Sequence, residues 1–120
     1  MKVHEVEPDV DADALLAGAQ FVDAFRITVD DNALDARRAA ERMLARGPRW
    51  VETLSRVVAG LDDTHLDFRV VVDVVAEPSG RRVTATTLVL THNLLGRVYL
   101  RIILPFHRLI ARTMLRQIAG

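Results

Sequence analysis

The spacing of apolar side chains changes several times along the chain, and each change predicts an element. Apolar and polar residues alternate over positions 21–29, which predicts a half-buried strand. A second alternation begins at His65, and its apolar face consists of Leu66, Phe68, Val70, Val72 and Val74. Positions 77–80 then supply the residues of a hairpin turn, and the β-branched segment 82–91 forms the second arm. The pattern therefore predicts about three strands.

Helical spacing separates and follows these strands. A short helix is predicted near residues 9–17, before Gly18. Asn32 and Asp35 can cap a second helix that runs to about residue 46. A third helix is predicted from Pro48 up to Gly60, because apolar residues recur there at helical spacing. Those residues are Trp50, Val51, Leu54, Val57, Val58 and Leu61.

The last part of the chain predicts one long amphipathic helix from Asn93 to Ile118, with Asn93 as its N-cap. Its apolar side chains fill a broad arc, and five arginines share the other side: Arg97, Arg101, Arg108, Arg112 and Arg116. Pro105 lies in the middle. We expect it to kink or break the helix, because proline lacks the backbone N–H and clashes with the preceding turn.

Length and composition limit the class of protein. The 120 residues suit one domain over positions 1–120, and 50% hydrophobic with 27% charged residues is ordinary globular composition. The absence of cysteine excludes a disulfide scaffold, a thiol nucleophile and a cysteine-based zinc site. Neither a secretory signal nor an apolar run of membrane-spanning length is present, so we expect a soluble cytoplasmic protein.

The formal net charge of zero hides an uneven distribution. Residues 1–80 contain all 16 acidic and nine basic residues, a net charge of −7, whereas residues 81–120 carry +7. We expect the two parts to attract each other in the fold, with the tail arginines facing acidic partners or solvent. Peripheral contact with an anionic membrane is a less favoured alternative. Sparse aromatic residues and zero net charge argue against a nucleic-acid partner.

Asp23 and His107 interrupt apolar faces. Asp23 shares a strand face with Phe21 and Phe25, so it is either a pocket carboxylate or a residue that faces solvent or pairs with arginine. His107 lies on the apolar arc of the tail helix, where a lone histidine is more often a satisfied core residue than a ligand. Each residue type can serve structure or chemistry, and spacing alone leaves both open.

Motifs for catalysis and metal binding are weak. His65 and Asp67 lie two apart on one strand face, as a base and its orienting carboxylate could, but polar strand faces often produce such pairs. HxH, HExxH and the glycine-rich phosphate loops do not occur. We therefore predict neither a metal site nor a cofactor.

Two stretches of the tail, residues 92–99 and 104–110, resemble the C-terminal signature of a bacterial family, domain-of-unknown-function family 2867. Residues 64–70, 23–26 and 48–51 resemble its preceding strand, first strand and second helix. That family is similar to the START and Bet v 1-like (SRPBCC) helix-grip proteins, in which a curved antiparallel sheet wraps a long C-terminal helix and often encloses an apolar ligand cavity. The resemblance implies an α+β fold and ligand binding rather than a particular reaction.

One departure from helix-grip proteins affects the prediction. Such domains carry extra strands between the second helix and the His65 strand, whereas only about four residues, 60–63, fill that gap here. We therefore expect a shortened helix grip, with about three strands where six or seven are usual. A shortened sheet leaves an exposed edge, which favours pairing with a second copy.

Three functional hypotheses follow. The first is a domain that holds an apolar or amphipathic small molecule between sheet and tail helix, with Asp23 or His107 orienting a polar end. Its predicted binding residues are Asp23, Phe25, Phe68, Tyr99, Ile103, Phe106 and His107. The second is a structural or interaction protein, a homodimer without ligand. The third is a cyclase- or hydrolase-like enzyme that uses Asp23, His65 and Asp67.

Overall fold

One antiparallel sheet and a long C-terminal helix make up most of the protein. The computed structural model describes residues 2–43, 51–53, 55–78 and 80–119. The strands are β1 (His4–Val6), β2 (Phe21–Val29), β3 (Val51–Glu52), β4 (Arg56–Asp62), β5 (Leu66–Glu77) and β6 (Gly80–Thr91). The helices are α1 (Ala12–Leu15), α2 (Ala36–Met43) and α3 (Leu94–Ala119). The α+β class and the long C-terminal helix agree with the prediction.

The sheet has the strand order β1-β2-β6-β5-β4-β3, and all neighbouring strands are antiparallel. β5 and β6 form the predicted hairpin, whose register runs from Leu66 opposite Thr91 to Glu77 opposite Gly80. β2 pairs along its whole length with β6. The first predicted strand, β2, thus lies beside the last predicted one, β6, and is second from one edge of the sheet.

The prediction of about three strands is wrong: the sheet has six, of which five are at least three residues long. The helix predicted from Pro48 to Gly60 is the main error, because residues 51–52 and 56–62 are strands. Trp50 and Leu54 lie outside the described residues. Val57 is fully buried opposite Val72 of β5, so pairing with the hairpin decided the structure of a segment whose apolar spacing also fits a helix.

The supposed deletion in the middle of the chain is explained by the same segment. Residues 60–63, taken as all that remained of the missing strands, include the end of β4, and β4 pairs with β5 from Arg56 opposite Asp73 to Asp62 opposite Asp67. The edge strands are β1 and β3, which have only three and two residues. Short edges recruit partner strands poorly, so the edge argument for a second copy loses its basis.

Aspartate side chains cap the first two helices. The Asp11 carboxylate accepts a hydrogen bond from the Ala14 backbone N–H at 3.2 Å and begins α1. Gly18 follows with a φ of 77°, a conformation that glycine adopts without strain. Asp35, rather than Asn32, caps α2 by accepting from the Arg38 N–H at 2.8 Å.

Asn93 caps α3, accepting from the Gly96 N–H at 2.9 Å. The helix then continues through Pro105, so the expected break does not occur. Arg101 and Pro105 are both exposed. Water can therefore reach the Arg101 carbonyl, which has no N–H donor at position 105, and this makes proline tolerable there.

Helices α2 and α3 cover one face of the sheet and bury the main core. The largest fully buried side chains there are Phe25, Ile27, Val57, Val72, Val83 and Leu115. On the opposite face, Leu16 after α1 packs with Val71 and Leu88 in a smaller cluster. α3 reaches the core only through its C-terminal half, with Ala111, Leu115 and Ile118. The N-terminal half carries many exposed apolar side chains.

Candidate ligand-binding site

A cavity of about 690 Å³ lies between the N-terminal half of α3 and the sheet. The sheet and the β4–β5 turn contribute Leu61, Asp63, His65, Leu66, Phe68, Val70, Ala85, Thr87 and Val89. The helices contribute Met43, Leu95, Tyr99, Leu100, Ile103, His107, Ile110, Ala111 and Met114. We call this space the helix–sheet cavity. Its volume lies within the range of about 300–1,000 Å³ typical of small-molecule sites.

Strand alternation and helix placement create the cavity. The period of two puts Phe68 and Val70 on the helix-facing side of β5, opposite Val89 and Thr87 of β6. Gly96 fixes the start of α3 against the β4–β5 turn, because a Cβ at this position would overlap the carbonyl oxygen of His65. The helix is therefore held at both ends, by this contact and by the core, and spans the sheet between them.

A contact between a histidine and a buried carboxylate lies at the cavity wall. The Nε2 atom of His107 lies 3.3 Å from Oδ1 and 3.1 Å from Oδ2 of Asp23, whose exposed fraction is 7%. Only the longer contact has hydrogen-bond geometry, so the nearer oxygen, Oδ2, is close to the ring without being bonded to it. The edge of Phe21 packs against the ring at a centroid distance of 5.8 Å. Position and orientation of His107 are thus set by β2.

The pair leaves one imidazole nitrogen for other contacts. A hydrogen bond to the carboxylate places a proton on Nε2, so Nδ1 of neutral His107 is an acceptor. Among the residues that the structure describes, none makes a hydrogen bond with Nδ1. Because His107 lines the helix–sheet cavity, its ring can present a polar atom to a bound molecule. It can accept from a hydroxyl or, when protonated, donate to an anion.

The predicted binding residues separate into three places. Phe68, Tyr99, Ile103 and His107 line the cavity, and Asp23 reaches it through His107. Phe25 is fully buried in the core, under the Arg112 guanidinium at 5.1 Å from the ring centroid. Phe106 is 63% exposed and is not part of the cavity wall.

The sequence missed Met43 and Leu61 as cavity residues. The helical spacing around Leu61 predicts a helix, whereas the residue lies in β4, opposite the cavity residue Phe68. The remaining apolar lining residues belong to the two patterns already recognised, the alternating face of the hairpin and the arc of the tail helix. The signal available from the sequence was the presence of these two apolar surfaces, which predict a space between sheet and helix.

His65 and Asp67 do not form the base-and-orienter pair considered from the sequence. Nδ1 of His65 lies 3.1 Å from the Asn93 amide nitrogen, whereas Asp67 lies 2.9 Å from Nε2 of His92. Both contacts join the start of β5 to the start of α3. Asp67 alternates with the cavity residue Leu66 and so lies on the other face of the sheet.

The described ranges carry neither a candidate metal site nor a helix able to span a membrane. They contain no group of three or more His, Asp or Glu side chains placed to hold a metal ion. No helix in the described part is long and apolar enough to cross a membrane. Four of the five α3 arginines, Arg97, Arg101, Arg108 and Arg116, are exposed to solvent.

The homodimer stays a prediction, now for a different reason. α3 presents an outer row of exposed apolar side chains, Val98, Ile102, Phe106 and Leu109, on the side away from the core. Their exposed fractions run from 45% to 63%. Contiguous apolar surface of this kind is a common feature of interaction sites.

A family model described as "Protein of unknown function (DUF2867)" matches residues 53–114, and the chain belongs to this family. The match covers β4, β5, β6 and most of α3. All cavity-lining residues except Met43 therefore lie inside it. His107 is within the matched segment and Asp23 is outside it. No curated protein and no solved structure matches the chain.

Proposed function

We propose that this member of the DUF2867 family binds an apolar or amphipathic small molecule between its sheet and its C-terminal helix. The observation that carries the proposal is the helix–sheet cavity of about 690 Å³, with His107 in an otherwise mainly apolar wall. Burial of each CH₂ group in such a space contributes about 0.8 kcal/mol. A ligand with an extended apolar body therefore gains most of its affinity from the wall.

The polar atoms at the wall favour an amphipathic ligand. Thr87 and His107 face the cavity from opposite layers, the sheet and the helix. Asp23 holds His107 by Nε2, so the ring does not need to reorganise when a ligand binds. Nδ1 can then accept a hydrogen bond from a ligand hydroxyl or, when protonated, donate one to a ligand carboxylate. An aliphatic acid or a hydroxylated aromatic compound has this combination of groups.

The architecture also supports a relationship with the START and Bet v 1-like (SRPBCC) helix-grip proteins. The supporting features are the antiparallel sheet, the long C-terminal helix across it and the cavity between them. We propose that the chain is related to these proteins and that it is located in the cytoplasm of a bacterial cell. The six-stranded sheet supplies one wall of that cavity.

A fluorescence titration tests the proposed binding. N-phenyl-1-naphthylamine is added to the full chain, and fatty acids of increasing length and aromatic polyketides are then used to displace it. Ile103→Trp fills the cavity from α3, and Ile102→Trp adds the same side chain on the exposed side. We expect Ile103→Trp to weaken probe binding by about tenfold or more and Ile102→Trp to leave it unchanged.

Two results contradict the proposal. One is the absence of saturable probe binding to the folded chain. The other is a loss in Ile102→Trp that equals or exceeds the loss in Ile103→Trp, since this places the probe on the outer row of α3.

The Asp23–His107 pair favours a second candidate function, a cyclase- or hydrolase-like enzyme. A histidine oriented by a carboxylate beside a cavity is an arrangement that supports proton transfer to or from a substrate. Turnover of aromatic polyketides and aryl esters by the wild type and by His107→Gln tests it. Turnover that disappears in His107→Gln, with probe binding retained, supports this candidate. Equal or absent turnover in both proteins contradicts it.

A further inference from the structure

We propose that the opposite face of the sheet carries a second site, which binds a small, singly charged oxyanion such as a carboxylate or phosphate. The site is a hollow of about 210 Å³, whose lining includes Arg26, Arg56, Asp73, Arg82, Thr84 and Thr86. We call it the outer-face hollow. It lies across the sheet from the helix–sheet cavity, and the inference does not depend on ligand binding there.

Strand register brings the polar groups of the hollow together. Arg26 of β2 lies opposite Thr84 of β6, Thr84 opposite Asp73 of β5, and Asp73 opposite Arg56 of β4. These residues form a polar row across four strands. Thr86 and Arg82 lie two residues to either side of Thr84 on β6, so their side chains share its face. Diagonal cross-strand neighbours of this kind are within reach of long side chains.

Two buried polar atoms, on residues that line the hollow, have no partner among the described residues. They are Oγ1 of Thr86, a residue with an exposed fraction of 1%, and Nε of Arg82. A buried donor without a partner is costly, whereas hydrogen bonds to a charged group are among the strong ones. We expect an oxyanion bound in the hollow to supply the missing acceptor.

Arg26 supplies further donors. Its Nε donates to Oγ1 of Thr84 at 2.9 Å, and this bond holds the guanidinium over β6. Its two terminal nitrogens make no hydrogen bond within the ranges that the structure describes. A guanidinium with free terminal N–H groups is well suited to oxyanions, because it offers donors in a fixed planar arrangement.

The acidic groups of the hollow set the charge of the ligand. Arg56 holds Asp73 through Nε at 2.6 Å and Nη2 at 3.1 Å. The hydrogen bond from Arg56 to Asp73 raises the pKa of this guanidinium above its ordinary value, against the effect of burial. Asp9 also lines the hollow. Arg56 is paired with Asp73 and Arg82 with Glu77, whereas Arg26 forms no salt bridge within the described residues, so its guanidinium is the group whose charge a monoanion would match.

Glu77 limits the anion further. Its carboxylate lies 3.4 Å from Nη1 of Arg82, so Arg82 already has one acidic neighbour. A dianion would add excess negative charge beside Glu77 and Asp9. The outer-face hollow is therefore expected to favour acetate-like carboxylates and doubly protonated phosphate, which are monoanions, over dianions.

Titrations of the full chain at constant ionic strength test the proposal. Sodium acetate and sodium phosphate are each exchanged for sodium chloride while backbone amide shifts are recorded by nuclear magnetic resonance. We expect saturable shifts on β2, β5 and β6 with at least one oxyanion. The relative affinities for acetate and phosphate distinguish a carboxylate site from a phosphate site.

The variants Thr86→Val and Arg82→Lys remove the two unpartnered atoms. We expect each to weaken oxyanion binding by about tenfold. Thr113→Val and Arg38→Gln are the matched controls at exposed positions and should bind as the wild type does. Without added oxyanion, Thr86→Val should unfold at the same or a higher temperature, because valine removes a buried hydroxyl that has no partner.

Three results overturn the proposal: shifts that remain linear at millimolar oxyanion, equal shifts with chloride, or unchanged affinity in both Thr86→Val and Arg82→Lys. If Thr86→Val does not fold, Arg82→Lys decides alone. N-phenyl-1-naphthylamine should bind all of these variants as it binds the wild type. That comparison separates a failure of the outer-face hollow from a failure of the helix–sheet cavity.

Discussion

Nε2 of His107, on α3, lies 3.1 Å from Oδ2 of Asp23, on β2, although 84 residues separate them in the chain. The contact joins the C-terminal helix to β2 at the wall of the helix–sheet cavity. Within the described residues, no other hydrogen bond joins a side chain of α3 to a side chain of a strand. The pair therefore contributes to the packing of α3 on the sheet, and we propose that it also orients the polar end of a ligand.

Asp23→Ala should destabilise the protein by about 1–3 kcal/mol, because Nε2 of the partly buried His107 ring then loses its acceptor. Urea unfolding followed by circular dichroism measures the change. Asp30→Ala, at an exposed position directly after β2, is the control and should change the free energy of unfolding by less than about 0.5 kcal/mol. Equal changes in the free energy of unfolding in both variants would show that the Asp23–His107 pair does not stabilise the fold.

His107→Phe should separate the apolar and polar parts of ligand recognition. The ring volume is kept, so N-phenyl-1-naphthylamine should bind within about twofold of the wild type, whereas a fatty acid loses its polar partner and should bind about tenfold more weakly. Displacement titrations with a fatty acid and with its methyl ester measure the difference. If the acid and the ester lose the same affinity, His107 does not contact the polar end.

Gly96→Ala should destabilise the fold by about 1–3 kcal/mol, because its Cβ overlaps the His65 carbonyl oxygen and the start of α3 must move. Thermal unfolding gives the stability, and amide shifts of residues 65–66 report the displacement. Arg97→Ala, one position along on an exposed site, should be neutral within about 0.5 kcal/mol. A neutral Gly96→Ala variant would contradict the close approach of helix and turn.

Phe25→Ala and Phe106→Ala should differ strongly. Phe25 is fully buried, so its truncation should cost about 3–5 kcal/mol. Phe106 is 63% exposed, and its truncation in the monomer should change stability by less than about 0.5 kcal/mol. Denaturation at low and high protein concentration checks both values. A loss in Phe106→Ala that grows with protein concentration, together with a dimer in sedimentation, would identify the outer row of α3 as a dimer interface.

Much of the fold could be predicted from local patterns. The hairpin followed from alternation around Pro78 and Gly80, and α3 followed from its long apolar arc and the Asn93 cap. The segment 51–62 could not be assigned in this way, because its valines fit a helix and a strand alike. Its pairing with β5 is a long-range contact, which local spacing does not contain.

The candidate site could be predicted only in part for the same reason. Ile103 and Phe106 lie on one apolar arc of α3, yet only Ile103 lines the helix–sheet cavity. The arc is wider than the part of the helix surface that faces the sheet. Asp23 and His107 were each noticed because they interrupt an apolar face, and their meeting depends on the tertiary fold. The outer-face hollow was missed because a polar strand face such as that of Arg26 and Thr84 is usually solvated.

The most direct test of the binding proposal is to locate a bound ligand by nuclear Overhauser contacts. Dodecanoic acid is added to the full chain, and contacts between its protons and assigned side-chain methyl and aromatic protons are recorded. The account predicts contacts with Phe68, Val89 and Ile103, inside the helix–sheet cavity. Contacts confined to Val98, Ile102 and Phe106, or no contacts at all, would contradict it.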